Sequence, residues 1–330
     1  MKRLCFLVIC MSIIMGCSIS TSSTKALVDY VDPNIGTAHC RWFFYTPAAI
    51  PFGMAKLAPS TDAHLGNPGG WQAVGYDFRH TSIEGFANFH EFQVGGVVFA
   101  PTVGELQTVP GELENPDGGY RSRFDKKDEV AVPGYYSVLL KDYGVKAELT
   151  AMKRVGFHRY TYPKTELANL IFDIGNKQGE SGEVKDAEVQ YFEDGRVEGY
   201  VITSPVYVNI YQKGADVRMY FSAVLNKKPV QVGTFVKDVV NPGKHQEKGP
   251  GAGLYMTFST EEQDAVEVKV GLSYTSIENA RFNREDEASD ATFEQAKKGA
   301  TEVWNESLGR IFVEGGKEAD KVKFYTGLFH

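Results

Sequence analysis

Cysteine is nearly missing from the part of this chain that can fold. Of four cysteines in 330 residues, Cys5, Cys10 and Cys17 precede residue 18 and only Cys40 follows it. Once the first segment is cleaved no internal disulfide can form, so the fold rests on its own core. Some 300 residues can supply one by burying roughly three quarters of their unfolded surface. Long apolar runs are missing too: the longest falls short of the ~20 residues of a bilayer-spanning helix. There is no basic cluster on a chain of formal net charge -7, which argues against nucleic-acid binding.

Short catalytic signatures are equally scarce. No H-E-x-x-H, C-x-x-C or EF-hand loop occurs, and the neighbours His39/Cys40 and His90/Glu91 point apart on a strand, so a self-contained zinc site is not expected. An oxygen-ligand calcium site, to which loop carbonyls and a hydroxyl such as Thr37 could contribute, leaves no such signature and stays open. Ser60, Ser82 and Ser137 are not in a G-x-S-x-G elbow, and the pairs Gly69-Gly70 and Gly95-Gly96 are too sparse for a phosphate loop.

What is present begins with location. Lys2 and Arg3, the apolar run Leu4 to Met15 and the box Ile14-Met15-Gly16-Cys17 have the form of a bacterial lipoprotein signal peptide (1–16) cut before an acylated Cys17. Residues 17–28 then read as the lipidated cysteine and a Ser/Thr-rich tether. The expected location is the cell envelope, lipid-anchored, in the periplasm or on the outer membrane surface. Losing two positive charges with the signal takes the formal charge to about -9.

Between residues 29 and 275 the pattern is that of a large antiparallel β-sandwich. Val145, Ala147, Leu149 and Ala151 alternate with Lys146, Glu148 and Thr150, as a strand with one buried face requires. Similar runs follow at 155–162, 168–174, 196–202, 206–212, 216–225, 252–258 and 265–273, divided by turn residues and with no helix expected among them. Residues 276–312 read as a linker helix region. In it Phe293, Ala296, Ala300, Val303 and Trp304 recur at helical spacing behind a Thr292/Gln295 capping box. From 313 a further helix starts, with Val322, Tyr325, Leu328 and Phe329 on one stripe. The stripe lacks a stop signal and an evident partner, so the expectation is that these residues open a longer helical domain.

Chemistry is concentrated between Val31 and Gly96. This stretch holds His39, His64, His80, His90, Trp42, Trp71, Asp62, Asp77, Glu84 and Glu91. Aromatic rings beside carboxylates and imidazoles suit a sugar, which offers C–H faces for stacking and hydroxyls for hydrogen bonding. The candidate substrate-binding residues are Trp71, His90, His39, Asp77 and Glu91. Packing of the tryptophans and backbone-satisfied histidines would give the same composition.

Here a resemblance becomes specific. Val31-Asp32-Pro33-Asn34-Ile35-Gly36-Thr37, Ile50-Pro51-Phe52-Gly53-Met54, Gly70-Trp71, Gly75-Tyr76 and Ser82-Ile83-Glu84-Gly85-Phe86 resemble the N-terminal domain of glycoside hydrolase family 92, exo-acting α-mannosidases abundant in gut Bacteroidetes. Pro133 to Val138, Arg154 to Tyr160 and Phe324-Tyr325-Thr326-Gly327-Leu328-Phe329-His330 continue the likeness in order. The resemblance implies a sandwich packed on an (α/α)6 helical barrel, a calcium ion (Ca2+) between them, and removal of terminal mannose from glycans, including those of glycoproteins, with inversion. It also implies that the catalytic acid and base lie in the helical domain beyond His330, so none is assigned in this chain. This stretch alone would be inactive, its partners being mannose-containing glycans, the missing helical domain and the membrane. Trp71 and His90 match the family's sandwich-side sugar contacts. The chain departs from the family at Gln72 to Asp77 and at His90-Glu91-Phe92-Gln93, on the expected pocket rim. The alternative reading is a surface lipoprotein that binds glycans without hydrolysing them.

Overall fold

The computed structural model describes residues 25–38, 44–62, 75–91, 94–176 and 181–330. Two antiparallel sheets form its body. One has seven strands in the order Ala58–Ser60, Gly85–Glu91, Val94–Val103, Thr165–Asp173, Ala252–Thr260, Gln231–Val236 and Val239–Pro242. The other has nine, ordered Gln246–Lys248, Glu183–Tyr191, Val197–Ser204, Val217–Leu225, Asp264–Ser273, Val155–Tyr162, Val145–Ala151, Tyr135–Leu140 and Val130–Val132. Alternation puts Val266, Val268, Val270 and Leu272 of one strand into the same core as Leu170 and Phe172 of the facing sheet. Phe99 and Phe172 meet there with ring centroids 4.0 Å apart. The expected sandwich is therefore the fold observed.

Within it, 206–212 is not a strand. Val206–Tyr211 forms a short helix, α1, following Pro205. Asn209 holds the bend by donating from Nδ2 to the Pro205 carbonyl (2.8 Å) and accepting at Oδ1 from the Gly214 amide (2.9 Å). The alternation of Val-Tyr-Val-Asn-Ile-Tyr imitates a strand, but Ile210 and Tyr211 both face solvent, so no single face is buried.

Three longer helices follow: α2 (Ile277–Ala288), α3 (Phe293–Leu308) and α4 (Glu318–Phe329). The first was hidden in sequence because its buried face is partly polar. Asn283 donates to the Leu272 carbonyl (2.7 Å), Arg284 is buried, and Phe282 is exposed. α2 lies so close to the nine-stranded sheet that a Cβ at Gly271 would stand 2.1 Å from the Ala280 carbonyl oxygen. α3 begins where its capping box indicates: Thr292 Oγ1 accepts from the Gln295 amide and Gln295 Oε1 from the Thr292 amide.

The stripe on α4 is not left without a partner. Tyr325 and Phe329 are buried against Val28, Val31, Trp304 and Leu308, whereas Leu328 alone of the four is exposed and Val322 is half-buried. The covering segment includes the 3-10 turn Leu27–Tyr30, so packing starts inside the stretch 17–28 expected to be tether. Among the described residues no helix is long and apolar enough to cross a membrane.

Candidate active-site groove

Where the seven-stranded sheet meets α3 and α4, a groove of about 670 Å³ opens. Tyr45, Phe52, Lys56 and Glu91 line its sandwich side, and Trp304, Ile311, Leu328 and His330 its helical side. Such a mix of apolar wall and few polar groups is the usual make-up of a small-molecule site.

His90 is set by the strand Gly85–Glu91 and is 3% exposed. Its ring lies against Tyr45 at 4.6 Å, and the Tyr45 hydroxyl donates to its carbonyl. Neither ring nitrogen has a hydrogen-bond partner among the described residues. Burial pushes its pKa down to about 3, against the opposing pull of Glu84, so the imidazole is neutral at physiological pH. A buried imidazole with two unanswered nitrogens is costly, and it is the kind of group that a bound water or ligand completes.

Glu91 follows on the strand and so points away from His90, as the pleat requires. It reaches the groove and pairs with Lys56, whose backbone N–H donates to the Asn88 carbonyl at 3.2 Å. Asp77 is placed differently. It does not line the groove, and both of its oxygens are engaged by Arg79, Nε to Oδ1 at 2.8 Å and Nη2 to Oδ2 at 2.5 Å. Burial pushes its carboxyl up, but the Arg79 hydrogen bonds outweigh this and hold it below the usual carboxylate range. The structure thus brings Glu91 to the groove wall, buries His90 behind Tyr45 and leaves Asp77 outside the groove. His39, Trp71 and Cys17 lie outside the described residues.

Thr37 is buried in the turn after Pro33, and its hydroxyl donates to the Asn34 carbonyl at 2.8 Å. The Asn34 amide oxygen is buried beside it with no partner. A calcium ion takes six to eight oxygens. One orphan amide oxygen and one hydroxyl do not make that shell, and among the described residues no three His, Cys, Asp or Glu groups approach one another to hold a metal. A calcium ion held here would take most of its oxygens from beyond Asn34 and Thr37.

Several groove residues were not foreseen. Phe52 stands 96% exposed at a positive φ of 57°. The signal was available: Pro51 before it and Gly53 after it are turn residues, and the Gly53 amide donates to the Ile50 carbonyl. Tyr45 and Lys56 had no local signal, and His330 was marked only as the end of a stretch that carries the family likeness. His330 arrives at the end of α4, its Nε2 3.0 Å from the Ile35 carbonyl oxygen and its ring 4.4 Å from that of Phe44.

Behind this wall Glu84 forms a buried ion pair with Arg121, Nη2 to Oε2 at 3.1 Å. Arg121 Nη1 also donates to the Thr61 carbonyl (2.6 Å) and to Ser82 Oγ (3.1 Å). The Thr61 amide in turn donates to the Gly75 carbonyl at 2.7 Å. The two described ends flanking 63–74 are thus pinned together.

Residues 30–273 match the family model described as the glycosyl hydrolase family 92 N-terminal domain, and residues 279–330 match that of the family 92 catalytic domain. The chain belongs to glycosyl hydrolase family 92. Its fold is similar to that of a family GH92 α-mannosidase from Bacteroides thetaiotaomicron solved in complex with mannoimidazole. The TM-score is 0.82 at 29% identity, covering 92% of this chain and 40% of that one. Another family 92 enzyme of the same organism, described as an inverting mannosidase, shares the fold at 21% identity and TM-score 0.74. In sequence the chain is 26% identical to an uncharacterized secreted glycosidase of Arthroderma benhamiae over 88% of this chain and 39% of the relative. It spans about two fifths of the length of these family 92 relatives.

Proposed function

We propose that this chain is the sandwich part, with the first helices of the catalytic part, of an inverting α-mannosidase that removes terminal mannose from glycans. The observation that carries the reading is the consecutive match of both family 92 domains along one chain, together with the likeness to a mannosidase solved with mannoimidazole. The sandwich would supply binding: Trp71 stacking on a sugar face, and His90 behind Tyr45 offering a neutral imidazole to a hydroxyl.

The chemical step needs more than this wall. Inversion requires an acid on the leaving oxygen and a base on water, ~6.5–9.5 Å apart. Among the described residues Glu91 is the acid that lines the groove, and it is tied to Lys56. The catalytic pair is therefore assigned to the helical part that the relatives carry in addition, and this chain alone is expected to be inactive. Calcium belongs to the same proposal. When bound it would polarise the sugar's hydroxyls, with most of its ligands supplied from outside the described residues.

The test is turnover of an aryl α-mannoside by the polypeptide at its full encoded length and by residues 25–330 separately. Activity confined to the longer protein supports the assignment. Glycan binding without turnover by either would favour the non-catalytic alternative. We further propose lipid anchoring through Cys17 in the cell envelope. A clickable fatty acid should label the protein, and Cys17→Ser should abolish the label; an unlabelled mature chain would refute it.

A further inference from the structure

Inside the sandwich, the strand Gly85–Glu91 changes face part-way along. The ring of Phe86 meets Tyr160 of the nine-stranded sheet at 6.0 Å, and that of Phe89 meets Tyr274, just past a strand of the same sheet, at 5.0 Å. Residues three apart on an unbroken strand lie on opposite faces. The neighbouring strand slips in the same way: Val97 and Phe99 are in the core, yet a Cβ at Gly96 would also point at the facing sheet, 3.1 Å from Met219 and Val201. The slip has one origin. Val97, 0% exposed, has a left-handed φ of 55°, a strained backbone for a β-branched residue. Between the paired residues Ala87 with Val98 and Phe89 with Gly96, the Asn88 side chain holds the Val97 carbonyl, Nδ2 to O at 2.7 Å. The Oδ1 of the same amide is 2.8 Å from His158 Nε2.

Unbroken alternation from Phe86 would send His90, four positions on, into the apolar core. Instead its ring backs Tyr45 at 4.6 Å and its carbonyl accepts from the Tyr45 hydroxyl. Tyr45 packs there with Ala58 and Tyr76, apart from the main core. The Asn88 carbonyl accepts from the Lys56 amide at 3.2 Å, and Tyr45 and Lys56 both line the groove. We infer that Asn88 and Val97 are positioning residues for the mannosidase site: the strained turn, clamped by the Asn88 amide, sets His90 behind Tyr45 and so fixes the groove's sandwich wall. This rests on the mannosidase reading above. Strain in a fully buried strand is kept where it aims a neighbouring group.

The test uses the polypeptide at its full encoded length, isotope-labelled at histidine Cε1 for NMR, with 4-nitrophenyl α-mannoside as substrate. The His90 signal is identified by its loss in His90→Gln. Asn88→Ala releases the Val97 carbonyl, so the His90 signal should leave the ring-shifted position that Tyr45 gives it, and kcat/KM should fall on the order of tenfold. Adding Val97→Gly to Asn88→Ala lets position 97 take the left-handed backbone without strain. The signal and most of the rate should then return, although the melting temperature drops further with the lost core side chain. His158→Phe, which removes the other partner of the Asn88 amide, should lower the melting temperature without moving the His90 signal. A double variant slower than Asn88→Ala, or a His90 signal moved equally by His158→Phe, would make Asn88 a core packing group and overturn the inference. A wild type that turns over no α-mannoside would overturn the mannosidase reading and the positioning role with it. An active enzyme whose His90 signal stays put in Asn88→Ala would sink the positioning alone.

Discussion

Trp304 donates from its indole nitrogen to the carbonyl of Ala49 at 2.7 Å, joining α3 to the segment that forms the groove's sandwich wall. Its ring also lies against Phe329 of α4 at 4.7 Å. One side chain therefore ties together the two regions that separate family models match. Trp304→Phe keeps most of the ring but leaves the Ala49 carbonyl without its donor, and should cost ~1–2 kcal/mol. Trp304→Ala also opens a cavity and should cost ~3–5 kcal/mol. Urea unfolding checks both. Equal, negligible losses would mean that α3 is held by other contacts.

Acid sensitivity follows from two buried histidines. Asn88 donates from Nδ2 to the Val97 carbonyl (2.7 Å), which turns its oxygen toward His158. His158 is then protonated at Nε2 and accepts at Nδ1 from the Tyr160 hydroxyl (2.9 Å). Burial pushes the pKa of His158, like that of His90, down to about 3. In the unfolded chain both sit near 6.5. As pH falls from 6.5 toward 3 the unfolded state takes up protons that the folded state refuses, so stability is complete above this window and lost progressively within it. His158→Phe should be less stable at pH 7.5, where it strands Asn88 and Tyr160, yet lose less further stability between pH 6.5 and 4. Parallel pH profiles for the two proteins would contradict this.

The Arg121–Glu84 pair is buried on both sides, with side-chain exposures of 0% and 2%. Removing the cation alone by Arg121→Met should cost ~3–5 kcal/mol, because Glu84 loses its counter-charge in a buried place. Glu84→Leu added to Arg121→Met should recover part of the loss. A double variant no better than the single one would place the stabilising role in the Thr61 and Ser82 hydrogen bonds instead.

The sandwich was legible because its strands alternate, and α3 because its cap and apolar face are both local signals. α1 and α2 were not. In α1, an alternating sequence is bent by hydrogen bonds from Asn209, and in α2 the face toward the sheet carries Asn283 and Arg284 rather than an apolar stripe. The α4 stripe was read, but its partners, Val28 and Val31, lie some 300 positions away and carry no mark of that pairing. The groove divides the same way. Glu91 lies in the stretch richest in chemically useful side chains and His330 in a stretch that carries the family likeness, whereas Tyr45 and Lys56 reach the groove only through packing. Asp77 does not line this groove, and Arg79, two positions on, hydrogen-bonds to both its oxygens, a pairing that the spacing alone did not announce.

The most direct test of the account is the anomer of the first product. Proton NMR of a mannobiose digest, run on the polypeptide at its full encoded length, follows free mannose before its anomers equilibrate. The account predicts that mannose is released and appears first as the β anomer. Release of the α anomer first, or no release of mannose from any α-mannoside, would contradict it.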